Sequence, residues 1–366
     1  MGTEHKERKK RPLIIRILLG ICAAMLVIAA LVFGFFGYLT IVEYTPEDVE
    51  DIAVSDGTGT MLKPGEEIDL ISWNIGYCGL SAQEDFFMDG GSRSLPHSKA
   101  QVETNVEAVT SYLAAEDPAV VFLQEVDRDS NRSFHIDQVN AVEEALPGRD
   151  VSFANNYVVA FIPYPIPPLG SMDAGILTGT TYHVTSATRI QLPCPFSWPL
   201  RLGNLKRCLL VSRLPIEGTE QELVLVNLHL EAYDDGEGKR LQTQMLAELI
   251  EDEYQKGNYV IAAGDFNQSF SSTDLSNYPV ISEDLWQAGA LDVTAFGDHW
   301  QFLQDTGSPT CRSLDRAYDP SDENFQFYMI DGFIVSDNLT VTQMSTVDLG
   351  FEHSDHNPIK LSVTLP

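Results

Sequence analysis

From residue 66 onward the chain alternates short apolar runs with longer stretches whose apolar residues recur every three or four positions. These are the periods of strand and helix. Residues 68–73, Ile-Asp-Leu-Ile-Ser-Trp, read as a strand, and residues 98–115 as a helix with Val102, Val106, Val109 and Leu113 on one face. Asp117-Pro118 stops that helix, because a proline disfavours helical geometry in the residue before it. Residues 119–124, Ala-Val-Val-Phe-Leu-Gln, then form a buried strand. Further along, residues 222–230 and 259–263 read as strands, with a helix between them at 240–254 carrying Leu241, Met245 and Leu249, Ile250 beside them. Residues 327–335 and 359–365 complete the set of strands. Strands outnumber helices, which predicts an α/β (α+β) domain of sheets packed on each other with helices outside.

Upstream the pattern is different. Residues 17–42 form a run of 26 uncharged, mostly apolar residues. As a helix the run would extend about 39 Å, enough to cross a hydrocarbon core of about 30 Å with some tilt. It is too long for the core of a cleavable signal, and residues 33–40 offer no small-residue exit. The bulky Ile21 before Cys22 argues against lipoprotein processing. Lys6, Arg8, Lys9, Lys10, Arg11 and Arg16 flank one side, while Glu43, Glu47, Asp48, Glu50 and Asp51 flank the other. The positive-inside rule then predicts a basic cytoplasmic tail (1–16), a single transmembrane helix (17–42) in the plasma membrane, and an extracytoplasmic remainder. Residues 43–65, acidic and aperiodic with Gly57, Gly59 and Gly65, read as a spacer before a domain at 66–366.

Charge narrows the partners. The 366 residues carry 53 acidic and 23 basic side chains, a net charge of −30. Six of the basic residues precede the apolar run, so the remainder of the chain is more acidic still. Such a surface repels phosphate backbones, and no nucleic-acid-binding patch is evident. Cys78, Cys194, Cys208 and Cys311 lack CxxC spacing and read as buried free thiols rather than disulfides or a metal cluster.

Polar groups recur at the mouths of the apolar strands. Asn74 ends the first strand, Glu125 the second, and His229 stands near the end of 222–230. Asp265 and Asn267 follow Gly264, Asp331 precedes Gly-Phe-Ile-Val, and Asp355-His356 stands just before the last strand. Each alone has an ordinary explanation as a turn cap or a structural histidine. Glu125, however, follows a long apolar run, where ionisation is costly without a cation. Six such groups are hard to explain as six independent caps.

At these residues the sequence resembles the endonuclease/exonuclease/phosphatase superfamily of metal-dependent phosphoesterases. The segments carrying the resemblance are Ser72-Trp-Asn74, Leu123-Gln-Glu125, Val226-Asn-Leu-His229-Leu, Gly264-Asp-Phe-Asn267, Ile330-Asp331-Gly-Phe and Ser354-Asp-His356. They stand in the family's order over residues 66–366. Leu228-His-Leu-Glu-Ala-Tyr233-Asp, Arg240 and Thr310-Cys-Arg312 look closest to a bacterial branch. The resemblance implies a four-layer α/β sandwich with the strand ends meeting in one cleft. It also implies Mg²⁺ (or Mn²⁺) held by Asn74, Glu125 and Asp355, an oxygen donor set such a hard cation prefers. His356 oriented by Asp331, Asp265 beside the attacking water, and Asn267 and His229 on the phosphoryl oxygens would complete an in-line hydrolysis of a phosphate ester. Whether Asp265 or the Asp331–His356 pair is the general base stays open.

Arg132, Arg207, Arg240 and Arg312 are candidate phosphate clamps in an otherwise acidic domain. Residues 163–168 and 296–326 are expected to rim the cleft. Acidity and membrane attachment favour a small or lipid-linked phosphoester, with a surface nuclease and a non-catalytic binding module as alternatives. Asp127-Arg-Asp129-Ser-Asn131 begins like an EF-hand loop, but Arg132 fills its glycine position. His353, Asp355 and His356 lack a further histidine or cysteine to complete a zinc site. No Walker A, Gly-x-Ser-x-Gly or His-Glu-x-x-His motif occurs.

Overall fold

The computed structural model of the chain describes residues 12–55 and 57–366, so the basic cluster at residues 6–11 lies outside the described residues. The chain divides into two units at Glu43/Tyr44. The first holds a 29-residue helix, Leu13–Ile41, exposed along nearly its whole length. It is long and apolar enough to cross a membrane.

The second unit, Tyr44–Pro366, contains two seven-stranded mixed sheets. One runs in the order Val49–Ile52, Ser186–Gln191, Cys208–Pro215, Glu222–His229, Tyr259–Asp265, Asp331–Ser336, Trp300–Leu303. The other runs Thr340–Thr346, Ile359–Thr364, Glu67–Asn74, Val120–Asp127, Gly170–Thr180, Asp150–Ile162, Val54–Ser55. Leu70, Phe122, Leu210, Leu225, Ile261 and Phe333 meet between the sheets. On one outer face the helix Glu237–Gln255 buries Leu246 and Ile250 against Val224 and Val260. On the other, the helices Lys99–Glu116 and Gln138–Ala145 bury Val102, Val109, Leu113 and Val142 against Ile71, Val121 and Leu123. The result is the four-layer helix–sheet–sheet–helix sandwich. Central strands covered on both faces have to be apolar at successive positions, which is why Glu222–His229 and Val120–Asp127 stand out in the sequence.

The helix Lys99–Glu116 starts where the Ser98 side chain accepts from Gln101 N at 3.2 Å. It ends at Asp117, left-handed at φ 45°, with Pro118 beyond. Three sequence expectations are revised. The stretch read as a spacer supplies edge strands to both sheets, Val49–Ile52 and Val54–Ser55. Residues 327–335 are not one strand. Phe327–Tyr328 pairs with Cys311–Arg312, and Asp331–Ser336 turns into the large sheet. Thr310 Oγ1 makes the break, accepting from both Ile330 N and Asp331 N. Within the segment expected to rim the cleft, Trp300–Leu303 instead closes a sheet edge.

Candidate active site

Strand register assembles half of the site. The parallel pairing of Glu222–His229 with Tyr259–Asp265 sets His229 beside Asp265, and the antiparallel pairing on the other side sets Asp331 there. Gly264 makes this close approach workable. At φ 147° it sits against the Leu228 carbonyl, where any Cβ would collide.

The other sheet contributes Asn74 and Glu125. Asn74 pairs in register with Gln124, and the next residue, Glu125, falls in an irregularity between Leu123 and Val126 with φ 53°. A bulge of this kind re-aims a side chain, and here Glu125 faces the cleft. Below the site Gln124 Nε2 donates to Asn227 Oδ1 at 2.8 Å, and Asn227 Nδ2 to Leu177 O at 2.7 Å, pinning the two sheets together.

His356 links the halves. Its Nδ1 lies 2.8 Å from Asp331 Oδ2, its Nε2 3.7 Å from Asp265 Oδ2, and its carbonyl accepts from Trp73 Nε1 at 2.8 Å. Asn74 Nδ2 donates to Asp265 Oδ2 at 3.0 Å, and His229 Nε2 stands 3.5 Å from the same oxygen. Asn267 donates its backbone N–H to Asp265 Oδ1 at 2.8 Å and its amide to Leu230 O. Asp355 stands beside Gly76, at φ 50°, where a Cβ would press on its carboxylate.

Burial sets the electrostatics. Asp265 is pushed up to about 7 by burial and by the neighbouring Asp331 charge, against the pull of His356. Asp355 is pushed up to about 6, again chiefly by burial. Burial works against a charged His356, but the Asp331 carboxylate and its hydrogen bond outweigh it, and the ring's pKa lies well above that of an ordinary histidine. His229 goes the opposite way, held neutral by burial and by Arg207.

These groups form the floor of a cavity of about 440 Å³. Its walls include Leu80, Phe86, Phe87, Ile162, Tyr164, Leu169, Met172, Tyr233 and Trp286.

The sequence profile of the Endonuclease/Exonuclease/phosphatase family matches residues 71–356. The chain belongs to that family. It is therefore a metal-dependent hydrolase of phosphate esters. Among solved structures it is similar to an endonuclease/exonuclease/phosphatase from Beutenbergia cavernae, at 18% identity and a TM-score of 0.57 over 82% of this chain and 72% of that one. It is also similar to ANGEL2, described as a 2′,3′-cyclic phosphatase in complex with adenosine-2′,3′-vanadate, at 16% identity and TM-score 0.53 over 88% and 99%. A family protein from Leptotrichia buccalis matches at 14% identity and TM-score 0.51 over 81% and 100%. A search of curated proteins gives no match.

The donors fit the divalent cation this family uses. Glu125, Asp265 and Asp355 line one cleft, and Asp265, Asp331 and His356 offer ligand atoms within 4.8 Å of one another. The arginines of the lining are already engaged, Arg132 shared between Asp127 and Glu125 and Arg207 paired with Glu231. A cluster of buried carboxylates in such surplus calls for further positive charge. Asn74 turns its amide nitrogen to the carboxylates while its oxygen accepts from Gly76 N. Cys311 stands by Asp355 and His356, but burial pushes its thiol up to about 12, keeping it protonated.

The arginines divide. Arg132 stacks 3.9 Å over the Tyr77 ring and holds Glu125 at 3.3 Å. Arg207 lines the cavity, pairing with Glu231 at 3.3 Å and donating to His229 O at 3.1 Å. Arg312 also reaches the wall, but its guanidinium donates to the carbonyls of Leu80, Ser81, Glu84, Ser313 and Arg316, so it clasps loops rather than presenting a phosphate clamp. Arg240 is exposed on its helix, bonded to Gln244, and lies outside the cavity. The EF-hand-like loop uses its own donors internally, Asp127 on Arg132 and Asp129 on His135. His353 turns to Asn105. Tyr77 and Trp286 were not legible as site residues, since no motif accompanies either.

Proposed function

We propose that the chain is a single-pass plasma-membrane phosphoesterase with its N-terminus in the cytoplasm and its Tyr44–Pro366 unit outside, hydrolysing a small or lipid-linked phosphate ester with Mg²⁺ or Mn²⁺. The observation that supports the substrate class is the cavity. Its polar floor lies beneath aromatic and aliphatic walls, a shape suited to a phosphate carrying a compact or apolar substituent. A long, hydrated polyanion is poorly matched to such walls and to 51 acidic against 17 basic residues from Glu43 onward. The membrane orientation is supported by the apolar helix and by the basic and acidic residues on its two sides.

A divalent cation held by Glu125 and Asp355, with Asn74 beside them, would neutralise charge on the phosphoryl oxygens. Asp265, buried and poised near neutrality, accepts the proton of the attacking water. Asp331 fixes His356 through Nδ1, leaving Nε2 toward Asp265 and the substrate. Asn267 and the neutral His229 orient the non-bridging oxygens. Burial of these side chains strengthens each of these contacts.

The test pairs topology with chemistry. Protease added to intact cells should digest the outer unit, and protection of it would overturn the orientation. Residues 44–366, which keep both edge strands, should be assayed with Mg²⁺ or Mn²⁺ against lipid phosphodiesters, nucleotides, sugar phosphates and plasmid DNA. Turnover of DNA alone would establish the surface-nuclease alternative instead.

A further inference from the structure

Among the large apolar residues exposed outside the helix, Met88 and Tyr164 line the cavity, and Ile166, Trp198 and Leu200 stand on the segments that carry its wall, while Val49, Met61, Leu275, Val280 and Ile281 lie elsewhere. Ile166 is 94% exposed, Tyr164 68%, Leu200 66%, Trp198 50% and Met88 48%. They stand on three adjoining segments. The rings of Phe87 and Tyr164 meet edge-to-face at 5.7 Å, and Ser94 Oγ donates to Pro167 O at 2.9 Å. Tyr157 OH donates to Gly203 O at 3.2 Å, tying the 198–203 loop to the same wall.

We propose that this rim is a membrane-seating surface, with residues 163–168 and 198–200 entering the interfacial layer of the bilayer and holding the cavity mouth against the lipid. The proposal rests on the membrane anchoring proposed above, and three observations favour a bilayer as the occupant. First, residues 151–172 and 190–200 carry no charged side chain, in a unit otherwise dense in carboxylates. The next charges after Leu200 are basic, Arg201 and then Lys206, suiting anionic headgroups.

Second, four of the six residues in Pro163-Tyr-Pro-Ile-Pro-Pro168 have no backbone N–H. A loop entering a water-poor layer must leave few donors unsatisfied, and proline removes them at the source. Tyrosine and tryptophan favour that layer, one end apolar and the other wet. Third, only residues 42–48 separate the helix from the first strand. That tether reaches at most about 25 Å, so a helix spanning a bilayer confines the unit close to its surface.

Tryptophan quenching tests this on the full chain. Proteoliposomes of phosphatidylcholine are compared with ones brominated near the headgroup end of the acyl chains, and flotation reads the helix anchor separately. Of the four tryptophans, Trp73 is buried and Trp198 stands on the rim. Bromolipid should quench the wild-type emission several-fold more than that of Trp198→Phe. The double variant Ile166→Asp/Leu200→Asp should lose most of this quenching while turning over soluble bis(p-nitrophenyl) phosphate at the wild-type rate. Protein that floats without rim quenching, or quenching unchanged in the double variant, overturns the seating surface and leaves the anchor standing. Protein that fails to float overturns both. Quenching without hydrolysis of any phosphate ester would sustain the surface and count against the proposed substrates.

Discussion

Asp265 and Asp331 stand opposite each other in the antiparallel ladder, and the imidazole of His356 reaches both, Nδ1 to Asp331 at 2.8 Å and Nε2 toward Asp265 at 3.7 Å. Two carboxylates this close do not both ionise cheaply in a buried site. One of them is satisfied by the ring's proton, and the other is raised toward neutral pH. An aspartate, a histidine and a second aspartate thus form one line of proton exchange rather than a pair and a bystander.

That line predicts non-additivity. Asp331→Asn and His356→Ala should each lower turnover about 10²–10⁴-fold. The double variant should be little worse than His356→Ala alone, as for groups acting as a unit. Turnover numbers measured beside thermal melts check this. If both residues were turn caps, melting would drop by the equivalent of about 0.5–2 kcal/mol with activity per folded molecule intact.

The raised Asp265 predicts a trade between activity and stability. A carboxyl group whose folded pKa exceeds its unfolded value stabilises the fold at low pH, and that contribution is lost as pH rises through the folded value, here about 7. In metal-free protein Asp265→Asn should therefore melt higher than wild type at pH 8, by the equivalent of about 1–3 kcal/mol, offset in part by the lost Asn74 bond. The advantage should shrink toward pH 5, while turnover with metal falls by orders of magnitude at every pH. Melting curves at the two pH values in EDTA decide it, and a pH-independent difference would count against the raised carboxyl.

Much of this was legible in the sequence, for a physical reason. Strands such as Glu222–His229 are covered on both faces and must be apolar throughout, so the polar groups at their ends contrast sharply. The hairpin of Asp150–Ile162 with Gly170–Thr180 is not legible in the sequence, because its register shifts twice and polar residues such as Asn155 and Asn156 interrupt its apolar pattern. Glu125 was legible as a carboxylate after an apolar run, but not the bulge that turns it into the cleft. Motif order supplied the resemblance; the rung shared by His229, Asp265 and Asp331 needed the strand pairing.

Cation binding should read out as stability as well as activity. A ligand bound only by the folded state stabilises it by about RT ln(1 + [L]/Kd), some 2.7 kcal/mol at a hundredfold excess over Kd. Millimolar Mg²⁺ should raise the melting temperature of the wild type and much less that of Glu125→Gln, which keeps the shape and removes a charge. Chelation should abolish activity and readdition restore it. Equal Mg²⁺-induced shifts in both proteins would remove Glu125 from the ligand set.

Arg312 separates a phosphate clamp from a loop clasp. Its guanidinium is buried among five carbonyl partners, and burial lowers its pKa, offset in part by nearby acids including Asp355. Removing it leaves carbonyls of Ser81 and Glu84 inside the protein without their donor, at about 1–3 kcal/mol for each group left unsatisfied. Arg312→Ala should therefore melt markedly lower, and Arg312→Lys should recover only part of the loss, since an ammonium cannot span the same fork of acceptors. If the clasp is the whole role, KM for a soluble phosphodiester, measured well below the melting transition, should change less than about threefold in Arg312→Lys. A KM rise of tenfold or more with an unchanged melting temperature would return Arg312 to the substrate.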